Sequence, residues 1–218
     1  MKVVIQITTM KALTKYILSN FGGKVVTKKE LEEVCRRFKA NLDSTVNFMI
    51  SYGYLIRILR GLYYVKTLEE FKLRKSIDVY RIISLGLDKL GINWYFGLYT
   101  ALRLNGVTHE YSATIFILND TIFRPKEIEI AGEKVKFIKL KKDLFGFGVK
   151  NENDLKFSDL EKTLLDIVYL SRYRSVPEEK IVLMLKEYEK KVNKRRMKSY
   201  LKFYPKSVER VVRNARLI

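Results

Sequence analysis

An apolar stretch interrupted by an Arg-Gly pair most restricts how this chain can fold. Residues 55–59 (LIRIL) and 62–65 (LYYV) are rich in strand-forming residues, and Arg60 and Gly61 lie between them. Glycine readily adopts the positive φ angles that tight hairpin turns require. The pattern therefore predicts a two-stranded hairpin.

Three helical patterns precede this hairpin. Apolar residues recur at helical spacing from Met10 to Asn20, and a second helix is predicted from Thr27 to about Ala40. A third begins at Asn41 or Asp43, both of which are good N-cap residues. Three short helices followed by a hairpin predict a winged helix-turn-helix DNA-binding domain over residues 1–70.

Charge is distributed unevenly along the chain. Of its 218 residues, 43 are basic and 24 acidic, which gives a formal charge of +19. Residues 1–75 hold 15 basic and 6 acidic side chains, residues 76–179 hold 15 of each, and residues 180–218 hold 13 and 3. The excess at both ends predicts a polyanionic partner, with nucleic acid first. Proteins of hot organisms also carry many lysines, but their glutamates increase as well, and here they do not.

The winged helix supplies candidate DNA contacts of two kinds. Short polar side chains on the third helix can read base edges: Ser44, Thr45 and Asn47. Cationic side chains can hold phosphates: Arg36, Arg37, Lys39, Arg57 and Arg60. Each of these cations is alternatively a solvated surface charge. Asp43 argues against the assignment, since phosphates repel a carboxylate, and an ideal strand would point Arg57 and Arg60 to opposite faces.

The pattern changes at Asp78 and predicts an α+β domain with about four strands and flanking helices over residues 71–218, after a boundary within 67–77. Helices are expected over 78–90 and 94–105, from Ser158 in a buried helix, from Pro177 to about Val192, and after Pro205. Strands are expected over 113–118, 127–130, 134–140 and 144–149.

The basic end of the chain forms a candidate second basic surface. Its cations alternate with aromatic residues in NKRRMKSYLKFY, residues 193–204: Lys194, Arg195, Arg196, Lys198 and Lys202. Such a pattern is typical of a surface that holds phosphates and stacks on bases. It is also typical of a helix whose aromatic residues pack on the core while the charges face water, and an acidic protein surface is a third candidate partner.

Catalytic patterns are weak. His109 is the only histidine, so a histidine cluster for a metal is excluded. Neither Gly-Ser nor Asp-x-Asp occurs, although nucleotidyltransferases use them to hold metal, and FGFG (145–148) lacks the rest of a phosphate-binding loop. Glu127 and Glu129 have suitable spacing without an evident third partner, and Asp166 is better interpreted as a buried polar anchor. We expect no enzyme activity, no cofactor and no metal.

Cys35 is the only cysteine, which excludes an intramolecular disulfide and fits a reducing compartment. The opening KVVIQIT is too short for a signal peptide, and no apolar stretch reaches the roughly 18 residues of a membrane span. The expected location is cytoplasmic, without contact to a membrane.

Three segments resemble the AbiEi-type antitoxins of abortive-infection, or type IV, toxin-antitoxin systems and the related transcriptional regulators. GYLIRILRGLYYV (53–65) is similar to that family's wing. WYFGLYTALRLNGVT (94–108) is similar to its helix followed by a Gly-apolar-Thr turn, and FSDLEKTLLDIVYL (157–170) to its Glu-Lys-(small)-Leu-Leu-Asp helix.

This resemblance implies a repressor with two roles. The N-terminal domain would bind double-stranded operator DNA upstream of its own genes, and the C-terminal domain would neutralise a nucleotidyltransferase-like toxin. Two alternatives remain open: a nucleic-acid-processing enzyme with its active site in the neutral middle domain, and a plain winged-helix transcription factor without a toxin.

Overall fold

The chain has a mixed α/β fold in a computed structural model that describes residues 2–73, 77–108, 112–172 and 176–218, with side chains from Met10 onward. It divides into two compact units. The first comprises Met1–Gly91 with Glu129–Gly132, and the second comprises Ile92–Ile128 with Glu133–Ile218. Among the helices that are described, none has both the length and the apolar character of a membrane span.

The first unit begins with helices and a three-stranded sheet in the order β1-β3-β2. Its elements are α1 (Lys2–Phe21), β1 (Val25–Thr27), α2 (Lys28–Arg37), α3 (Leu42–Ser51), β2 (Leu55–Leu59), β3 (Leu62–Val65), α4 (Leu68–Lys72) and α5 (Val79–Lys89). The predicted hairpin is confirmed, since β2 and β3 pair antiparallel. The start of α1 differs from prediction: the helix begins at Lys2 instead of Met10, because the β-branched residues there lower helix propensity only slightly.

Capping residues fix where α2 and α3 begin. Thr27 and Glu30 form the predicted capping box: the Thr27 hydroxyl accepts from the Glu30 N–H at 3.2 Å, and Glu30 accepts from the Thr27 N–H at 2.7 Å. Asn41 caps α3, because its Oδ1 accepts from the Ser44 N–H at 2.9 Å. Asp43 therefore lies inside the first turn and is not the cap.

The three-stranded sheet is covered on both faces. One face packs on α1, α2 and α3 in an apolar core that includes Leu13, Ile17, Leu31, Val34, Val46, Met49, Leu55, Tyr63 and Val65. On the other face Gly86 of α5 lies so close to β2 that an added Cβ would meet Ile58 Cδ1 at 2.9 Å. Because α5 packs on this sheet, the compact unit continues past residue 70 to Gly91.

The second unit has helices around a six-stranded mixed sheet in the order β6-β7-β5-β4-β9-β8, although Glu129 and Ile130 of the edge strand β6 belong to the first compact unit. Its elements are β4 (Trp94–Phe96), α6 (Leu98–Leu104), β5 (Thr114–Asn119), β6 (Ile128–Ile130), β7 (Glu133–Lys139), β8 (Val149–Glu152), β9 (Leu155–Ser158), α7 (Leu160–Ser171), α8 (Glu178–Lys186), α9 (Lys194–Tyr200) and α10 (Lys206–Asn214), with 3-10 turns at Lys142–Leu144 and Leu201–Phe203. Strands β5 and β7 are parallel, and β4 pairs parallel with β9.

The expected four strands are therefore too few, for local reasons. Residues 94–96 form a strand instead of a helix start, because three aromatic residues pair with β5 before Gly97 begins α6. Residues 144–148 are not a strand, since Leu144 ends a 3-10 turn and pairing starts only at Val149, the first residue of β8. The β8–β9 hairpin turns at Asn153 and Asp154, whose φ angles of 52° and 62° fit a type I′ turn.

Helix α7 is the centre of the second core. It packs against α6, α8, α9, α10 and β9, and its residues from Leu160 to Tyr169 are all buried, as its sequence predicts. Three of those buried residues are charged: Glu161, Lys162 and Asp166. Helix α8 ends at Lys186, earlier than the expected Val192, because turns follow it.

Candidate nucleic-acid interface

The base-contact candidates on α3 separate into exposed and buried side chains. Ser44 and Asn47 are exposed, one turn apart on the same side of the helix. Thr45 is only 1% exposed, and its hydroxyl donates to the Asn41 carbonyl at 2.7 Å. A threonine hydroxyl satisfied within its own helix can face the core, so Thr45 is excluded from the candidate base contacts.

The hairpin turn lies beside the start of α2 and is connected to α3. The Lys28 N–H donates to the Gly61 carbonyl at 2.7 Å, and Lys28 Nζ is 3.7 Å from Asp43 Oδ1. Gly61 has a φ of 79°, which glycine adopts without strain. Lys28 therefore lies between the turn that contains Arg60 and the first turn of α3, and its ammonium faces the Asp43 carboxylate in an exposed ion pair.

Arg57 and Arg60 are both exposed, but only Arg57 belongs to a strand. Arg57 pairs with Tyr63, a core residue on the face that packs against α1 to α3, and its guanidinium carbon lies 5.8 Å from the Tyr63 ring centroid. Cross-strand partners share a face, so Arg57 points to the helical side of the sheet. Arg60 lies in the turn, where strand alternation does not apply, so the two arginines need not point apart.

The remaining phosphate candidates form a separate group at the far end of α2. Arg36 and Arg37 end the helix, and Lys39 follows in a left-handed conformation with a φ of 52°. All three are exposed. A ten-residue helix is about 15 Å long, so this group is distant from Lys28. Cations at a helix C-terminus also interact favourably with the helix dipole, so Arg36 and Arg37 can stabilise α2 without binding DNA.

The candidate second basic surface lies on α9 in the second unit, and one side of this helix is anchored to α7. Arg196 Nη1 is 3.3 Å from Glu161 Oε2, the Asn193 N–H donates to Glu161 Oε1 at 2.7 Å, and Tyr200 donates to Asp159 at 2.8 Å. Burial raises the pKa of Asp159, and burial together with the hydrogen bond to Asp159 raises the pKa of Tyr200 to about 12. Arg196 is therefore an anchor, not a free cation.

The other cations of this set are exposed. Lys194 Nζ donates to the Arg216 carbonyl at 2.8 Å, and the side chains of Arg195, Lys198 and Lys202 are exposed. The prediction that aromatic residues pack inward while charges face water describes Tyr200 and Tyr204. It does not describe Phe203, which is 40% exposed.

A buried polar cluster lies beneath α9. Lys162 Nζ is 3.5 Å from both carboxylate oxygens of Asp166, which also accept hydrogen bonds from Tyr204 at 2.6 Å and Tyr95 at 2.8 Å. The ammonium lies 4.5 Å from the Phe147 ring centroid and 4.8 Å from that of Tyr95. Burial lowers the pKa of Lys162 and raises the pKa of Asp166, Tyr95 and Tyr204.

The hydrogen bonds and the ion pair of this cluster agree with the interpretation of Asp166 as a buried polar anchor. Both charged side chains are completely buried, so a substrate in solution cannot reach them in this conformation. Glu127 and Glu129 are exposed, and Glu127 accepts from the Thr114 hydroxyl at 3.4 Å. His109 lies outside the described residues. Within the described part of the chain, no three His, Cys, Asp or Glu side chains are grouped as metal ligands.

Comparison with known proteins finds a similar fold in a solved structure and no similar sequence. No family model matches the chain, and no curated protein matches it. Among solved structures, the crystal structure of the RV2827C protein from Mycobacterium tuberculosis is similar, with a TM-score of 0.56 and 14% sequence identity. The match covers 96% of this chain and 77% of that one. At this identity the likeness shows a shared fold, which extends over both compact units.

Proposed function

We propose that this protein is a DNA-binding transcriptional regulator whose residues 1–70 form a winged helix-turn-helix. In this proposal α2 and α3 are the helix-turn-helix and β2–β3 is the wing. The observation that carries it is the short connection between the exposed polar side of α3 and the cationic hairpin turn, through Lys28. A helix that presents polar side chains beside a cationic turn can enter the major groove while the turn holds phosphate.

Each proposed contact has a distinct chemical role. Asn47 can donate to and accept from the edge of adenine in the major groove, and Ser44 can hydrogen bond to more than one base. Arg60 is a phosphate contact, and Arg57 adds a second positive charge on the side of the sheet that faces α1 to α3. Lys28, which the sequence patterns do not single out, prevents Asp43 from presenting an uncompensated negative charge to the DNA.

Paired substitutions test this proposal in the full chain. Asn47→Ala is expected to reduce discrimination among operator variants by about 1–3 kcal/mol, because a base contact is lost. Arg60→Ala is expected to weaken all duplexes alike and to reduce the salt slope by about one unit, because a phosphate contact is lost.

Matched controls are Asn20→Ala and Arg81→Ala, exposed residues of α1 and α5. Binding of fluorescent duplexes is measured by anisotropy over a series of salt concentrations. If Asn47→Ala weakened all sequences equally, or if Arg81→Ala matched Arg60→Ala, the proposed orientation of α3 and the wing would be wrong.

We also propose that the protein acts as an AbiEi-like antitoxin that represses its own operon and neutralises a nucleotidyltransferase-like toxin. This part rests on the three resembling segments. They correspond to the hairpin, to β4 with α6, and to β9 with α7. Co-expression with the product of the adjacent gene is the test: restored growth supports the antitoxin, and toxicity that persists at excess of this protein contradicts it.

A further inference from the structure

Charges are segregated across α9 in the second unit. The carboxylates of Asp159 and Glu161 lie beneath the helix and hold its inner side through Arg196, Asn193 and Tyr200. The outer side carries Lys198, and the chain continues with Lys202 and Lys206, all exposed. Among the residues that the structure describes, none of these three lysines forms an ion pair. Their charges are therefore available to an outside partner.

These lysines line a groove between α9 and α10. The groove has a volume of about 510 Å³, and its lining includes the apolar residues Leu201 and Ile218. Arg213 also lines it, but Glu209 accepts from its guanidinium at 2.6 Å and 3.1 Å and offsets its charge. A groove with cations at its sides and apolar surface between them can take a ligand that is both anionic and flat.

An aromatic ring, Phe203, lies next to Lys202, outside the lining of the groove itself. Phe203 is 40% exposed and stacks on Phe147, with 4.2 Å between ring centroids and 11° between ring planes. Lys202 Nζ is 4.9 Å from the Phe203 centroid. Because Phe147 holds this ring in place, a base that packs against the exposed part of the ring would not have to order it first.

We propose that this groove binds single-stranded nucleic acid. Lys198, Lys202 and Lys206 hold successive phosphates, and bases pack on Phe203 and on the apolar lining. A duplex fits this surface poorly, because its bases are stacked inside and only sugar and phosphate would meet the apolar and aromatic groups. Single strands offer both chemistries together. The site is separate from the proposed operator contacts, which lie in the first unit.

Binding is measured on the full chain with labelled oligouridylate and oligothymidylate about 12 nucleotides long, within the usual site sizes of single-strand-binding proteins. A mixed-sequence duplex and polyglutamate are the comparison ligands. The test variant combines Lys198→Ala, Lys202→Ala and Lys206→Ala. Its control combines Lys134→Ala, Lys139→Ala and Lys141→Ala, exposed lysines of the same unit, so that net charge changes equally.

The test variant is expected to bind single strands about a hundredfold more weakly at 0.1 M salt, at roughly fivefold per lost phosphate contact, while the control triple stays near the parent. Phe203→Leu keeps apolar volume but removes the ring, and is expected to lose about tenfold on single strands and nothing on the duplex. Its control is Phe123→Leu, a highly exposed ring elsewhere in the unit. Oligouridylate and oligothymidylate together distinguish RNA from DNA as the source of the strand.

Three results would overturn the proposal. Equal losses in the test and control triples would indicate a general charge effect. A larger loss on the duplex than on single strands would indicate duplex binding at this face. Displacement of the strand by polyglutamate, together with an unchanged Phe203→Leu variant, would indicate an acidic protein partner. Asn47→Ala and Arg60→Ala are expected to bind single strands as tightly as the parent does. A failure of operator recognition can therefore be distinguished from a failure of this groove to bind single strands.

Discussion

Replacement of Lys162 by methionine is expected to destabilise the second unit strongly, although methionine is apolar and of similar length. Lys162 is completely buried, and its ammonium is the cationic partner of the Asp166 carboxylate. Loss of the ammonium leaves that carboxylate buried with only the Tyr95 and Tyr204 hydroxyls as donors. Breaking a buried ion pair from one side costs about 3–5 kcal/mol.

The companion substitution is Asp166→Asn, which keeps an oxygen that can accept from Tyr204 and adds an amide that can donate to the Tyr95 hydroxyl. Alone it leaves the Lys162 ammonium without its anion, at a similar cost of about 3–5 kcal/mol. The double variant removes both charges of this buried pair and leaves both tyrosine hydroxyls with partners. We therefore expect it to be about as stable as either single variant, with a coupling energy of about 3 kcal/mol.

Trp94 allows the unfolding of the second unit to be followed alone. It is the only tryptophan, it is buried in β4, and it neighbours Tyr95 in sequence. Its fluorescence in a urea titration gives the free energy of unfolding of each variant. In a thermal scan each single variant is expected to lower the midpoint by roughly 10 °C, at about 2–4 °C per kcal/mol for chains of this size. A double variant whose loss equals the sum of the single losses would refute the coupling.

Two further substitutions test the local structure. Glu30→Gln should remove a pH-dependent part of the stability: burial raises the pKa of Glu30, but hydrogen bonds from Lys89 and Thr27 outweigh it, so the pKa lies below its ordinary 4.5. That stability is present above about pH 4.5 and is lost as the pH falls through the lowered pKa. In urea titrations, the difference in free energy of unfolding between parent and variant should therefore shrink only below about pH 4.5. A difference that stays constant from neutral pH into acid would contradict this prediction. Gly148→Ala should destabilise the second unit by about 2–3 kcal/mol, because Gly148 has a φ of +62° and the new Cβ would lie 2.8 Å from Lys162 Cβ. Gly146→Ala, with no atom within 4 Å, is its control, and an equal loss in both would contradict the crowding argument.

Much of the first unit can be predicted from sequence, because its signals are local. The capping box at Thr27 and Glu30 involves residues three apart, and the Arg60-Gly61 turn joins strands that are adjacent in the chain. Strand β1 is not evident, since Val25 to Thr27 is too short for a pattern and is defined only by pairing with β3. Its partner residues are far away in sequence.

The candidate site is less predictable, because polarity alone does not give exposure. Thr45 appears suited to base contact, yet its hydroxyl is satisfied by the preceding turn and its side chain is buried. In the sequence Lys28 is an ordinary lysine at the start of a helix, and its place beside Gly61 and Asp43 follows from tertiary packing.

Lys162 shows the same limit in the second unit. A lysine within an apolar helix is ordinarily expected to extend its ammonium to solvent. The Lys162 ammonium is instead enclosed by the rings of Tyr95 in β4, Phe147 in the 145–148 segment and Tyr204 near the end of the chain, which are far from it in sequence. The Glu-Lys and Leu-Leu-Asp residues of the third resembling segment therefore have a structural purpose: they hold the basic C-terminal segment on α7.

The central proposal is that the first unit recognises a specific operator. The most direct measurement compares the affinity of the full chain for the DNA upstream of its own gene with its affinity for a shuffled duplex of equal length and composition, over a series of salt concentrations. We predict that the upstream fragment is bound about a thousandfold or more tightly than the shuffled duplex, with both affinities falling steeply as salt increases. Equal affinities for the two duplexes at every salt concentration would contradict operator recognition.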